Sequence, residues 1–365
     1  MKTVLHIGKF YPPVPGGMER IVETVCGVSE GLVESRVLVM NTSGETVEEA
    51  HGGVHVTRVG TIGAAGSVAI APGFPRALSR ARADLIVLHE PNPWALLSYA
   101  MVHPACRIVI WYHSDVVRPA LQYALFYAPI ARPAYRRAER YIVSSPALAE
   151  HAAALAPYRE RVRVIPFGID AASWRGLEGP TPFVLFAGRH VAYKGVDVLL
   201  RALQGTSIRA VIAGDGPRRA ECEGLAATLG LAPRVSFAGD VPDDEIRVLM
   251  QSCAVLVLPA ITRAEAFGYV QLEAMASSKP VVSTDVPSGV SWVNQHETTG
   301  LIVPAADPGA LRAALERLMG DPSLRRKLGE AGRRRVEEEF ALTRLRDRLG
   351  ALYRELGLLT EGAAC

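Results

Sequence analysis

The sequence predicts an α/β protein made of two successive doubly wound units, and three observations carry that prediction. The chain has 365 residues, more than one ordinary core takes in, so it divides most naturally into two domains. Short runs rich in Val, Ile and Leu alternate with stretches of helical periodicity. Apolar on both faces, such runs fit strands of a parallel sheet covered by helices. The alternation pauses once, in a Gly/Pro/Ser-rich piece from Pro166 to Pro182, and then restarts, as at a linker.

The strands expected in the first unit are "TVLHI", "RVLVM", "DLIVLHE", "RIVIWYH" and "RYIVSS". Those in the second are "FVLFAG", "RAVIAGDG", "VSFAGDV", "AVLVLP", "PVVSTD" and "GLIVP". From Ser323 to Leu359 the pattern is helical throughout, with breaks expected at Gly332 and near Leu342. The domains are therefore drawn as 1–168 and 169–341, with a final helix over 342–365 that crosses back onto the first. The carboxyl ends of both sheets are expected to line a cleft, since ligands of open α/β sheets bind there.

Composition narrows the classes. With 49% hydrophobic and 21% charged residues, the chain is a packed globular protein rather than a disordered one. A net charge of +3 is too small for a dedicated nucleic-acid binder, so no nucleic-acid partner is expected. Cysteines at 26, 106, 222, 253 and 365 form no Cys-x-x-Cys pair and leave one over. Reduced thiols in a cytoplasmic protein are the expectation. "MKTVLHIGKF" lacks the long apolar core of a signal peptide. No run of roughly 18 apolar residues suggests a membrane span, so membrane contact would be peripheral.

Two glycine-bearing loops follow first strands. In "FYPPVPGGMERIVETV", Gly16 and Gly17 let bare backbone approach a ligand at a helix N-terminus, where amide N–H groups and the helix dipole favour an anion. The spacing is not G-x-G-x-x-G, which disfavours a plain NAD site. In "FAGRHVAYKGVDVLLRAL", Arg189 and Lys194 put two cations at the carboxyl edge of the second sheet, a natural clamp for phosphate.

In "EAFGYVQLE", Glu265 and Glu273 stand eight residues apart. On one helix they would be about 12 Å apart, beyond the roughly 5–9.5 Å of a hydrolytic carboxylate pair. Glu265 is expected in the loop after "AVLVLP" and Glu273 inside the following helix, each meeting a separate part of one extended ligand. The bland alternative is a helix-terminal acid and a surface glutamate.

Together these residues resemble the retaining glycosyltransferases of family 4, which have the GT-B fold of two Rossmann-like domains. The resemblance rests on "PPVPGG", "IPFGID", "GRHVAYKG", "VIAGDGP", "VSFAGDVPDDEI", the E-x7-E motif "EAFGYVQLE" with "AMASSKPVVSTD", and "TTGLIVP". It implies that Glu265 contacts the transferred sugar and Glu273 the ribose hydroxyls, that Arg189 and Lys194 hold the departing diphosphate, and that Phe267 and Gly268 form the backbone-lined wall under the donor. It places Gly16 and Gly17 near the diphosphate. It makes His113, in "WYHSDVV", a contact to the sugar, with Asp115 the weaker candidate and a possible cap of the next helix. Where many relatives carry a glutamate after "PVVSTD", Trp292 stands here.

The resemblance further implies hexosyl transfer from a nucleoside diphosphate sugar, GDP-mannose or a UDP-sugar, with retention of configuration by a front-face route. No cofactor and no metal are expected: "PDDE" reads as a helix start rather than a D-x-D site. His51 and His55 in "HGGVH" are separated by two glycines that disfavour a helix. Tyr123, Phe126 and Tyr127 lie among Arg118, Arg132, Arg136, Arg137 and Arg140. That mixture suits either the inner face of an anionic cytoplasmic membrane, with a polyprenyl-diphosphate-linked glycan acceptor, or a partly buried helix pair with snorkelling arginines. "RRRVEEEF" balances its own charge and reads as a solvated face. The rival functions are a nucleotide-sugar epimerase of the same architecture and a non-catalytic nucleotide-sugar sensor.

Overall fold

The computed structural model describes residues 1–65, 68–115, 123–174 and 183–360. The chain divides into two compact units: Met1–Ser144, Ala152–Gly168 and Leu342–Cys365 form one, Ser145–His151 and Ile169–Ala341 the other. Ser145–His151 thus falls with the second unit, not inside a continuous first domain of 1–168.

In chain order the elements up to the linker are β1 (Thr3–Ile7), α1 (Gly17–Val28), β2 (Glu34–Met40), β3 (Val47–His51), β4 (Val54–Val59), β5 (Gly63–Ala65), β6 (Val68–Ile70), α2 (Phe74–Arg80), β7 (Leu85–Glu90), α3 (Pro93–Val102), β8 (Arg107–Tyr112), a π-helical turn (Tyr123–Tyr127), α4 (Ala128–Arg137), β9 (Arg140–Val143), α5 (Pro146–His151) and β10 (Val162–Val164). The main sheet runs β10-β9-β8-β7-β1-β2-β4-β3 and is parallel except for β3. β7 is buried at every position, as expected of a strand covered on both faces. The chain moves outward from β1 through β2 and then returns to the other side of β1 with β7. That reversal is the topological switch point of the sheet.

The second unit continues with β11 (Phe183–Ala187), α6 (Val196–Leu203), β12 (Arg209–Ala213), α7 (Arg219–Thr228), β13 (Val235–Gly239), α8 (Asp243–Ser252), β14 (Val255–Leu258), α9 (Val270–Ala276), β15 (Val281–Asp285), α10 (Val290–Val293), β16 (Gly300–Pro304), α11 (Pro308–Gly320) and α12 (Pro322–Glu339). Its sheet, β13-β12-β11-β14-β15-β16, is all parallel and switches between β11 and β14. Asp-Pro pairs open the last two helices. Asp307 accepts from the backbone N–H groups of Gly309 and Ala310, and Asp321 from that of Leu324, with proline at the first helical position.

α13 (Leu342–Glu355) rejoins the first unit. Its Tyr353 is buried, with its hydroxyl 3.3 Å from Ser29, and Arg346 donates to the carbonyls of Val28 and Glu30. The break expected at Gly332 is absent: α12 runs straight through it. A Cβ there would stand 3.1 Å from Met275 Cγ, so Gly332 permits close packing instead.

Every strand anticipated from the sequence is present. The hairpin β3–β4 was not anticipated, and "HGGVH" is its turn. Gly52 and Gly53 have φ of 58° and 79°, as a tight two-residue hairpin requires. His51 and His55 therefore sit on opposite strands. Tyr123 to Arg140 spans the π turn, α4 and the start of β9. Phe126 and Leu125 are exposed, whereas Tyr127 and Tyr135 are buried. Arg137 lies over the Tyr99 ring and Arg140 pairs with Glu355, while Arg118 lies outside the described residues.

Candidate functional site

In each unit the candidate residues collect at the carboxyl ends of strands at or near the switch point, the edge of an open α/β sheet at which ligands bind. In the second unit the two flanking strands are β11 and β14, and the loops that follow them are bound to each other. Ile261 N–H donates to Tyr193 O at 2.9 Å. A Cβ on Gly195 would stand 2.0 Å from Pro259 O, and Gly195 has φ of 68°, so only glycine fits there. This contact delivers Lys194, in a single 3-10 turn after β11, to Glu265 in the loop after β14.

Lys194 Nζ and Glu265 Oε2 form an ion pair with side-chain exposures of 14% and 10%. Burial alone pushes the lysine pKa down. The Glu265 carboxylate reverses this by its charge and its hydrogen bond, and the ammonium ends above its ordinary value. Arg189, exposed at the start of the same loop, adds its positive charge beside Lys194 and Tyr193. The cluster holds two cations and one carboxylate at the sheet edge.

Glu273 lies inside α9 and is 6% exposed, and Glu265 is 8% exposed. The surface-glutamate alternative therefore does not hold. Phe267 turns inward: its ring is 6.1 Å from Phe340 and 6.5 Å from Trp292, which in turn packs at 5.4 Å on Phe340 with the Arg335 guanidinium over it. What this turn leaves toward the site is backbone. Gly268 has φ of 74°, and a Cβ there would stand 2.6 Å from Leu258 Cδ2 and 2.7 Å from Gln271 Nε2. Gly289 N–H donates to Ala266 O at 2.7 Å and fixes the turn from the other side.

In the first unit the residues come from β1, β7 and β8, neighbours in the sheet. His113, directly after β8, is 7% exposed and stacks between Trp111 and Phe167, at ring distances of 5.8 and 5.7 Å. Its Nε2 lies 2.8 Å from Nδ1 of His89, whose Nε2 lies 3.1 Å from Nδ1 of His6. Burial holds His113 at about 3 and His6 at about 4, and it keeps His89 well below the usual histidine range, so all three are neutral. Asp115 accepts from the Tyr112 hydroxyl at 2.8 Å. The helix it was considered to cap falls outside the described residues.

Gly16 and Gly17 are exposed at the start of α1. That helix end already faces a carboxylate of the chain itself. Glu19 is 9% exposed and accepts from its own N–H and that of Phe10, and burial raises its pKa. A second buried acid, Glu90 at the end of β7, receives the Tyr127 hydroxyl and the Asn92 N–H. Burial pushes it up to about 8, which makes it a neutral carboxylic acid at physiological pH.

Comparison with known proteins decides the family. Glycosyl transferases group 1 matches residues 173–335, and Glycosyltransferase Family 4 matches residues 15–173. The D-rhamnosyltransferase WbpZ of Pseudomonas aeruginosa is 33% identical over 92% of both chains. The chain belongs to the family 4 glycosyltransferases. The O-antigen chain mannosyltransferase C of Escherichia coli is 30% identical over 97% of this glycosyltransferase and 98% of the relative. Among solved structures, sucrose-phosphate synthase from Thermosynechococcus elongatus superposes with a TM-score of 0.79 at 23% identity, covering 99% of this chain and all 100% of that one. Anabaena HepE in complex with UDP and glucose gives 0.79 at 19%, covering 98% and 100%. The fold is thus GT-B, with two Rossmann-like domains.

Four buried groups of this glycosyltransferase escaped sequence reasoning: His6, His89, Glu90 and Glu19. A signal for the first two was present. "TVLHI", "LIVLHE" and "IVIWYH" each carry a histidine at or next to the strand end, and on adjacent parallel strands each lies two positions beyond the register partner of the one before it. For Glu90 and Glu19 the sequence holds no comparable sign, because their burial depends on Tyr127 and on the fold of the α1 entry.

Proposed function

We propose that the chain transfers a hexosyl group, with retention of configuration, from a nucleoside diphosphate sugar to an acceptor hydroxyl in polysaccharide biosynthesis. The observation that carries this reading is the Lys194–Glu265 pair at the switch point of the second unit. A diphosphate arriving beside Arg189 draws Lys194 toward itself, and Glu265, no longer neutralised, is left to accept from sugar hydroxyls. Glu273 takes the ribose hydroxyls, and the turn at Phe267 and Gly268 offers backbone beneath the donor. Two cations neutralise the leaving diphosphate without a metal ion, and charge stabilisation with positioning supplies most of the rate.

The relatives named for rhamnosyl and mannosyl transfer favour a GDP-mannose-type donor, with a UDP-sugar second. The acceptor is a glycan on a polyprenyl diphosphate at the inner face of the cytoplasmic membrane. Exposed Leu125 and Phe126 support this, as does a cavity of about 370 Å³ lined by Pro129, Arg132, Tyr135, Pro157 and Tyr158. No helix among the described residues is long and apolar enough to cross a membrane. Calorimetric titration with GDP and UDP, on the native chain and on Lys194→Ala, tests the donor site. Tight binding of one nucleotide that the substitution weakens is expected. Binding of neither would remove the roles given to Arg189, Lys194 and Glu273.

A further inference from the structure

The loop that leads from β1 to Gly16 and Gly17 is rich in proline, and it has few donors with which to hold itself. Pro12, Pro13 and Pro15 carry no N–H. The loop's own backbone supplies a bond from Val14 N–H to Tyr11 O, at 3.2 Å. Further donors come from β4.

Val54, Val56 and Arg58 share one face of that strand by its two-residue alternation, with exposures of 9%, 0% and 6%. The two valines cluster with Tyr11 of the loop and with Val22 and Cys26 of α1. Alternation asks for a third apolar residue where Arg58 stands. Its guanidinium directs Nε to Glu49 Oε1 on β3 at 2.8 Å, Nη1 to Tyr11 O at 2.9 Å and Nη2 to Pro12 O. The same guanidinium lies 6.0 Å from the centre of the Tyr11 ring, which His51 meets edge-on at 5.6 Å. His51 Nε2 lies in turn 3.2 Å from Glu23 Oε1 in α1. The β3–β4 hairpin therefore holds both the loop and the helix that follows it.

Burying a charge costs desolvation, and apolar residues in place of a buried ion pair are often neutral or stabilising. Packing alone does not call for Arg58. What an apolar side chain cannot supply is a flat fork of donors in fixed directions, able to meet two successive carbonyls and a carboxylate at once.

We propose that Arg58, oriented by Glu49, is a positioning residue that fixes the path of the loop from Tyr11 to Gly17, and with it the backbone that Gly16 and Gly17 present to a donor diphosphate. The meeting with the diphosphate rests on the function proposed above, whereas the anchoring of the loop does not.

The test is amide hydrogen exchange on the full chain, beside calorimetric titration with GDP and UDP and unfolding in urea. Arg58→Met keeps much of the volume and removes the donors and the charge. Exchange at Val14, Gly16 and Gly17 is expected to quicken about tenfold, and nucleotide binding to weaken about tenfold, while the urea midpoint stays at its native value or rises. A lower midpoint with exchange quickened equally in β1 and β2 would make Arg58 merely structural and overturn the proposal. Unaltered exchange in the loop would overturn it too. Glu49, whose side chain is 40% exposed, gives a second variant that leaves the interior intact. Glu49→Ala is expected to quicken exchange in the loop about threefold at an unchanged midpoint, and native exchange there would overturn the orienting role of Glu49. If the loop loosens in Arg58→Met and nucleotide binds as it does to the native chain, the anchor stands and the contact with the diphosphate is overturned. If the native chain binds neither nucleotide while the loop responds as expected, the anchor stands and the proposed function falls.

Discussion

Lys194 and Glu265 meet as an ion pair across the seam between two adjacent strands, so neither charge can be removed without stranding the other. Lys194→Ala and Glu265→Ala are each expected to lower stability by about 1–3 kcal/mol, less than for a fully enclosed pair because both side chains keep some exposure. The double variant is expected to lose less than the sum. Urea unfolding of the three variants measures the coupling, and strict additivity would show that the pair contributes nothing.

Glu265→Gln separates binding from transfer. The neutral amide leaves Lys194 free for a diphosphate, so nucleotide affinity is expected to hold or rise. Turnover is expected to fall by about 10²-fold or more, the scale on which removal of a transition-state electrostatic contact acts. Calorimetry beside initial-rate assays reads the two separately.

Gly17 and Gly268 answer differently to a methyl group. At Gly268, with φ of 74° and two atoms closer than 3 Å to a Cβ, alanine is expected to cost about 1–3 kcal/mol. At Gly17, in the first turn of α1 with nothing within 4 Å of a Cβ, alanine is expected to stabilise by about 0.5–1 kcal/mol. If bare backbone there meets the donor, Gly17→Ala becomes more stable and binds nucleotide more weakly. Unchanged affinity would remove Gly17 from the site.

Glu90 and the histidine row titrate with opposite signs. Between the ordinary carboxyl value of 4.5 and about 8, the native state keeps a proton on Glu90 that the unfolded chain has lost. Stability falls as pH rises through that window, by up to about 1.4 kcal/mol per pH unit. Glu90→Gln is expected to flatten this slope in unfolding curves recorded from pH 5 to 8, and an unaltered slope would mean that Glu90 is ionised in the native state.

Below 6.5 the unfolded histidines take up protons that the native state refuses, His6 until about pH 4, His113 until about 3, and His89 well below its ordinary value. Stability from these groups is present above 6.5 and lost as pH falls, each contributing a slope of up to about 1.4 kcal/mol per pH unit. Three histidines outweigh one acid, so together these four groups place the stability maximum near pH 6.5. A maximum at pH 5 would contradict the buried neutral row.

Eleven of the parallel strands were legible because an apolar run needs no partner to be recognised. The β3–β4 hairpin was not, since its alternation is weak and its turn lay inside a stretch considered only for metal binding. Gly332 misled for a physical reason: a glycine within a helix reads as a break, but here it makes room for Met275. At the site, loop cations and glutamates were visible from their place after strands. The inward turn of Phe267 and the folding back of Glu19 were not, because each depends on contacts with distant segments.

The return of α13 to the first unit has a consequence for biosynthesis. Tyr353, 1% exposed, packs beside Ser29, so of the two units the one whose translation starts earlier waits for α13 to close its interior. The second unit is fully translated before that helix appears. The order of completion during synthesis is therefore the reverse of the order in the chain, and cutting before Leu342 would injure the amino-terminal half.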